Sequence, residues 1–435
     1  MVAASADWLL EGRRRRLVGL MAVLGLLIAP VASSTELKGL AEAARSILGP
    51  DQGVYVEAAD GAVLLAQSAA KPVHPASVSK VPTTLALLRK LGPDHRFVTT
   101  FTAQGRVADG TLYGDLLVRS DGDPSLVDED ALLVAERLRE AGITRIAGTL
   151  RPQSPLFFDW KNDDGTLLQR ALSGSTTAAA AQAVRQLQAS SSLAPMGVRF
   201  VPAPAAGVVA AADSGELHGD RPSIVHRSQP LLPLAKSLND YSNNIFAPFA
   251  AAAGGAAAVE SLARGVVPEA MRSEITLGDG AGADPTNRLS PRAAVKLLRA
   301  LEQELAGTGH ALFDILPVAG IDDGTLHDRL NEPGEAGHVL GKTGTFGDYG
   351  ASALIGAIAT RDHGTVYFAI LNHNIPVSQA RRRQDRFVRT LLGRLDSIPW
   401  PYQRDPHPAI TRVQVAVVGG TTRTNLHESF PIPSP

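Results

Sequence analysis

The 435-residue chain contains no cysteine, which removes disulfides, thiolate metal sites and cysteine nucleophiles together. Its formal net charge is −1, and no run of four or more Lys/Arg occurs outside the extreme N-terminus. That leaves no electrostatic footprint for nucleic acid. Among the eleven histidines there is no His-Glu-x-x-His or similarly spaced pair, so a zinc hydrolase has no ligand set to stand on. Neither a metal nor another cofactor is expected. Aromatic residues are scarce at 5%, but 44% hydrophobic and 20% charged residues are an ordinary globular balance, and the length suits two or three domains.

The N-terminus places Arg13 to Arg16 before the apolar run LVGLMAVLGLLIAPVA, Leu17 to Ala32, followed by Ser33 and Ser34. A charged region, an apolar stretch and a small-residue site in that order are a secretory signal peptide. The run carries Pro30 and falls short of the ~20 residues that a spanning helix needs. An uncleaved anchor, and with it a peripheral membrane contact, stays open as the alternative. The mature chain is expected to work in the periplasm. Nothing in the sequence sets an oligomeric state.

After the signal, GVYVEAADGAVLLAQ (Gly53 to Gln67) reads as two short strands around an Asp60-Gly61 turn. A helix over Thr83 to Lys90 stops at Gly92-Pro93. From about Phe97 to Val225 the pattern changes to strand-like runs such as TLYGDLLVRS, with an Ala-rich helix near Thr177 to Gln188, which marks an inserted domain. Helical periodicity resumes near Leu231, and Ser290-Pro291 sets a helix start, with serine at the cap and proline at the first helical position. GASALIGAIA (Gly350 to Ala359) and TVYFAILNH (Thr365 to His373) read as adjacent strands before a basic helix from about Gln379 to Leu392. These elements predict an α/β fold of the α+β type, with helices on both sides of a small antiparallel sheet. The expected division is a signal at 1–34, a discontinuous main domain at 35–96 and 226–400, an insert at 97–225 and a disordered tail at 401–435, where Pro and Thr are frequent and periodicity is weak.

Ser-x-x-Lys occurs twice in SAAKPVHPASVSK, as Ser68 to Lys71 and as Ser77 to Lys80. The spacing is common by composition, so context decides between them. Pro72 and Pro75 prevent a helix from running on from Ser68 and Lys71. Ser77 instead stands where the apolar helical run begins, and there the i, i+3 spacing stacks the Lys80 amine beside the hydroxyl. The helix N-terminus then aims backbone N–H groups at any anion forming near Ser77. Ser77 is the candidate nucleophile. Pro82 is the objection: either a bend follows the turn that carries Ser77, or the proline falls early enough in the helix to be tolerated.

A serine with a lysine base needs a second proton carrier, and a cation plus backbone donors for the anionic end of a substrate. Ser242-Asn243-Asn244, read as part of a helical segment, offers a hydroxyl close to an amide, although Ser237-Leu238-Asn239 fits the same pattern. Gly341-Lys342-Thr343-Gly344-Thr345 opens a strand-like region in which glycine lets a substrate lie against the backbone. Each motif alone is common. The three in this order, each on the right kind of element, are the signature of penicillin-binding proteins and class A β-lactamases.

With the blocks PASVSKVPTTLALLRKLGPDHRF, GDLLVRSDGDPSL, LNDYSNNIFA, LGDGAGADPTNRLSPR, LPVAGIDDGTLHDRL and GKTGTFGDYGASALIG, the chain resembles the D-alanyl-D-alanine carboxypeptidase/endopeptidase branch of penicillin-binding proteins, the class C low-molecular-mass group. The resemblance implies a β-lactamase/transpeptidase-like domain split by an insertion between the first and second motifs. It implies that Ser77 attacks a D-Ala-D-Ala peptide bond of peptidoglycan stem peptides to give an acyl-enzyme. Lys80 would be the base, its pKa depressed by the Lys342 cation. Ser242 would pass a proton to the departing amine and Asn244 would hold the peptide amide. Lys342, Thr343 and Thr345, with Gly344 between them, would bind the terminal carboxylate, and the N–H groups of Ser77 and Thr345 would form the oxyanion hole. Asp123, in GDPSL, matches a position that reaches into the cleft in relatives. β-Lactam antibiotics are the implied covalent inhibitors.

The chain departs from this family pattern at three places: Asn239-Asp240 where Asn-Lys is usual, Pro248 where an acidic residue is common, and Ala281 in place of a serine. Two other functions follow from the same residues. A serine β-lactamase shares the fold, but no Glu-x-x-Leu-Asn segment is present to deacylate it. A catalytically weak peptidoglycan-binding protein would suit the Pro248 and Ala281 departures.

Overall fold

The computed structural model describes residues 34–188, 196–203, 222–348 and 350–419. The signal assigned to 1–34 therefore lies almost wholly outside the described residues. Two sheets dominate. The first runs in the order Val339–Phe346, Ala351–Thr360, Thr365–His373, Gly53–Ala58, Val63–Gln67, with every neighbouring pair antiparallel. The hairpin expected at Asp60-Gly61 forms its far edge, where Ala62 N donates to the Asp60 carboxylate at 2.9 Å.

The central strands are apolar almost throughout because both faces are covered, and successive side chains point to opposite faces. Ala353, Ile355, Ala357, Tyr367, Ala369 and Leu371 join one core with the helices Lys80–Leu91 and Pro291–Ala306. Leu354, Ile358, Val366, Phe368 and Ile370 join a second core with Ser34–Ile47 and Val377–Arg394. The result is a three-layer helix–sheet–helix arrangement. Ser290 caps the Pro291–Ala306 helix by accepting from Ala293 N, with Pro291 at the first position as expected.

The second sheet is mixed and runs Gln414–Val418, Ser223–Arg227, Val98–Ala108, Thr111–Ser120, Arg145–Ala147, Arg199–Val201. It has its own core, in which Phe101, Leu112, Leu116 and Val118 meet Val134, Ala135 and Leu138 of the helix Asp128–Glu140. The tail departs from expectation. Residues Pro401 to Gly419 are ordered into a 3-10 turn, Ala409–Arg412, and the strand Gln414–Val418, which pairs antiparallel with Ser223–Arg227. The run Val413-Gln414-Val415-Ala416-Val417-Val418 is rich in β-branched residues and completes an open sheet edge. Its Pro-rich surroundings hid it. No single helix among the described residues is long and apolar enough to cross a membrane.

Candidate active site

The chain enters the site through a turn rather than directly as a helix. Ala76–Ser79 form a 3-10 turn that runs into the helix Lys80–Leu91. Pro82 is the third residue of that helix, where a missing N–H costs no intrahelical bond. The objection raised by the sequence disappears, and Lys80 still falls one turn beyond Ser77. His74 fixes the approach: its Nδ1 accepts from Ala76 N at 3.1 Å, its Nε2 lies 2.9 Å from Asp284 O, and its ring stacks on Phe346 at 4.0 Å.

Ala76 has φ +49°, an uncommon conformation for a residue with a side chain, and two glycines hold it. A Cβ on Gly282 would lie 2.0 Å from Ala76 O, and one on Gly344 would lie 2.6 Å from Pro75 O. The turn that carries Ser77 is therefore wedged between the Gly278-Ala283 loop and the motif strand Val339–Phe346. Asp279 organises that loop, accepting from Gly282 N at 2.8 Å, Ala283 N at 2.9 Å and the Asn287 amide at 2.9 Å. Sequence reasoning missed Asp279, although an acid followed by Gly-Ala-Gly is a readable turn signal.

Lys80 is fully buried and donates to Ser77 Oγ at 2.7 Å and Ala281 O at 2.8 Å, with Asn244 Oδ1 at 3.4 Å. Burial lowers its ammonium to about 7, against an upward pull from Asp279. The expectation that the Lys342 cation depresses Lys80 needs correcting: loss of water is the cause. Ala281 does its work through its carbonyl, a contact that a serine-to-alanine change leaves intact.

Ser242 is not helical. The helix Leu231–Tyr241 ends at it in the left-handed conformation, φ +55°, and Asn244 follows on the turn into Phe246–Ala252. That reversal carries Ser242 to Lys342 and Asn244 to Lys80. Lys342 Nζ donates to Ser242 Oγ at 2.8 Å and to Thr343 O at 2.9 Å. Complete burial and then the neighbouring Lys80 hold its pKa well below the usual lysine value, with Asp240 opposing. Asp240 is raised to about 7 by burial, with Lys236 opposing. Ser237-Leu238-Asn239, the competing pattern, lies inside the helix: Ser237 Oγ bonds back to Pro233 O, and the Asn239 amide donates to Ile315 O at 3.1 Å. Pro248 is the third residue of Phe246–Ala252 and so demands no donor.

The motif strand is the terminal strand of its sheet. Pro317 and Ala319 cover its first half, since Gly341 N donates to Pro317 O at 3.0 Å and Ala319 N to Val339 O at 2.8 Å. Outward-facing backbone groups alternate along an edge, so Thr343 and Thr345 also face outward. The same alternation turns the Thr345 N–H away from its partner strand, and the Ser77 N–H lies in the first turn of Ala76–Ser79, where backbone donors have no partner inside the turn. These are two donors beside the Ser77 hydroxyl.

Of the expected site residues, Ser77, Lys80, Ser242, Asn244, Lys342, Thr343, Gly344 and Thr345 converge. Asp123 does not. It is fully buried in the second sheet's unit, where its Oδ1 accepts from Ser125 N at 2.9 Å and Ser125 Oγ at 2.6 Å, and its Oδ2 faces His226 Nδ1 at 3.5 Å. A carboxylate enclosed in this way has no face left for a ligand in the cleft.

Chains of similar sequence and shape include a carboxypeptidase, a predatory endopeptidase and a penicillin-binding protein. The chain is 26% identical over 393 residues to carboxypeptidase DacB of Mycolicibacterium smegmatis, covering 78% of this chain and 80% of that one. A penicillin G-acylated predatory endopeptidase of Bdellovibrio bacteriovorus, solved with an immunity protein, superposes with a TM-score of 0.67 at 22% identity, covering 84% of this chain and 99% of that one. Penicillin binding protein 4 of Haemophilus influenzae gives 0.55 at 18% identity, over 82% and 99%. Both structures share the fold. The family model for the D-Ala-D-Ala carboxypeptidase 3 (S13) peptidases matches residues 35–184 and 168–392, which takes in all three motifs, and the chain belongs to that family of serine hydrolases.

Proposed function

We propose that Ser77 is the acylated serine of a D-Ala-D-Ala carboxypeptidase that removes the terminal D-Ala from peptidoglycan stem peptides outside the cytoplasm. The observation that carries the reading is the 2.7 Å contact between Ser77 Oγ and a lysine amine whose burial brings it to about 7. At neutral pH a large fraction of that amine is uncharged and able to take a proton. As Ser77 Oγ bonds to the penultimate carbonyl carbon, its proton passes to Lys80 and the carbonyl oxygen becomes an oxyanion. The Ser77 and Thr345 N–H groups receive that charge. A donor of this kind is worth about 3 to 4 kcal/mol of barrier.

Collapse of the intermediate breaks the C–N bond: Lys80 gives up the proton it took, Ser242, which Lys342 holds in place, relays a proton to the departing amine, and Lys80 is left as the free amine for the next step. Asn244, between Lys80 and the cleft, orients the peptide amide. The substrate lies along the open edge of the motif strand as an added strand, with its terminal carboxylate towards Thr343 and Thr345. Water then attacks the ester carbonyl, giving its proton to Lys80, and Ser77 leaves with a proton restored. The same geometry accepts the carbonyl of a β-lactam, whose ring nitrogen cannot diffuse away.

A fluorescent penicillin tests the assignment. Wild-type protein and Ser68→Ala should both be labelled and Ser77→Ala should not, with the adduct on the tryptic peptide that contains residue 77. Labelling that survives Ser77→Ala would remove the nucleophile from the reading.

A further inference from the structure

Arg381, on the helix Val377–Arg394, stands beside the carboxylate-binding end of the motif strand. Its guanidinium donates to Thr345 Oγ1 at 2.9 Å, and both residues are solvent-exposed. Among the described residues it has no carboxylate partner. The neighbouring Arg329 takes the nearby acid for itself, binding Asp385 at 2.6 Å and Gln384 Oε1 at 3.1 Å. Arg381 is thus left as a cation next to a second cation, with a single hydroxyl as its partner. An arrangement like that lacks an anion.

Lys342, the other candidate for this charge, is fully buried. Its amine is already committed to Ser242 Oγ and Thr343 O. Its surroundings disfavour the ammonium. An arriving carboxylate would therefore meet hydroxyls first and a reluctant charge behind them. A guanidinium is always charged, and its planar fork matches a carboxylate.

We propose that Arg381 is a specificity-determining residue that binds the terminal carboxylate of the substrate together with Thr345, and so selects peptides with a free C-terminus. The inference deepens the peptidase reading above and rests on it. The motif strand supplies backbone pairing and the hydroxyls, and the Val377–Arg394 helix supplies the charge. Thr345 bridges the two.

Two peptides that differ only at the last group, one ending in D-Ala-D-Ala and the other in its carboxamide, test this. Arg381→Gln should lose about tenfold in kcat/KM on the acid, chiefly through KM, as expected for a charge-assisted but exposed contact. It should leave the amide unchanged, and Arg381→Lys should recover part of the loss. A Tm within about 2 °C of wild type keeps folding out of the comparison. Equal losses on both peptides, or none on either, overturn the role. Calorimetric binding of the same two peptides in a Ser77→Ala background reads the preference without turnover. If that background prefers the acid and Arg381→Gln abolishes the preference while wild type cleaves neither peptide, the peptidase reading fails and the carboxylate site stands. If the acid and amide bind alike with Arg381 present, the carboxylate site fails whatever the enzyme cleaves.

Discussion

Burial that brings Lys80 to about 7 suits it to the proposed role of base and costs folding free energy, and the two effects can be separated by pH. The unfolded chain holds that proton up to about 10.4, so between about 7 and about 10.4 it binds more protons than the native state, and native stability rises with pH. At and below about 7 the full penalty applies, on the order of 5 kcal/mol. Lys80→Met removes it. The methionine leaves the Ala281 carbonyl and the Asn244 amide short of a donor, at roughly 1 to 3 kcal/mol, less than the charge burial it relieves. The variant should therefore melt above wild type near pH 6, with the gap closing towards pH 10, while penicillin acylation falls by about a hundredfold to ten-thousandfold. In wild type, acylation should climb with pH through about 7; a flat profile would remove Lys80 as the base. At this scale the sequence was informative where partners are local. Ser77 and Lys80 were legible because one helical turn joins them. Asp123 was not, because a turn aspartate in Gly-Asp-Pro-Ser reads the same whether it meets solvent or a histidine from a remote strand.

Between elements, the site depends on two backbones approaching the turn at Ala76. Gly282, at φ +87°, faces Ala76 O, and Gly344 faces Pro75 O. Alanine at either place must displace the segment that carries Ser77. For Gly282→Ala the strain in the left-handed region adds to the clash, together roughly 2 kcal/mol or more. Both variants should keep native far-ultraviolet circular dichroism and lose at least tenfold in the rate of penicillin labelling, a minimum set by about 1.4 kcal/mol of misplacement. Gly393→Ala is the control: its Cβ would meet nothing within 4 Å on an exposed helix face, and it should label normally and gain up to about 1 kcal/mol. Labelling that survives in both Gly282→Ala and Gly344→Ala would show that the turn has slack the packing does not suggest. The strands and helices around this site were legible because apolar periodicity and caps are short-range signals. The left-handed ends at Ala76 and Ser242 were hidden, since alanine and serine carry no mark of that conformation. They exist because tertiary contacts over-determine them.

At the scale of the whole molecule, the change of pattern after Phe97 marks strands that the structure gathers into a second sheet, but the closure of that sheet was not legible. The sheet is completed by residues 414–418, and its histidine clamp joins three separate stretches. His226, on the strand Ser223–Arg227, is fully buried, with Nε2 3.0 Å from Asp130 Oδ1 and Nδ1 3.5 Å from Asp123 Oδ2. Burial alone would discharge the ring, but Asp130 and Asp123 outweigh it and raise its pKa to about 9. A raised histidine stabilises fully below its unfolded value, about 6.5, and its contribution fades as pH rises through about 9. The amount is roughly 3 kcal/mol. Lys80 works in the opposite direction over part of this range, so the comparison must be against a variant rather than within wild type. His226→Gln leaves two buried carboxylates without a cation, a loss of about 3 to 5 kcal/mol, and should lower Tm by roughly 6 to 15 °C at neutral pH. The gap should narrow by pH 10, as wild type loses the same charge. Because His226 lies outside the catalytic groups, the folded variant should still be labelled by penicillin at low temperature. A Tm gap that stays constant from pH 6 to pH 10 would mean that the ring is neutral throughout, and that packing alone binds the helix Asp128–Glu140 to the sheet.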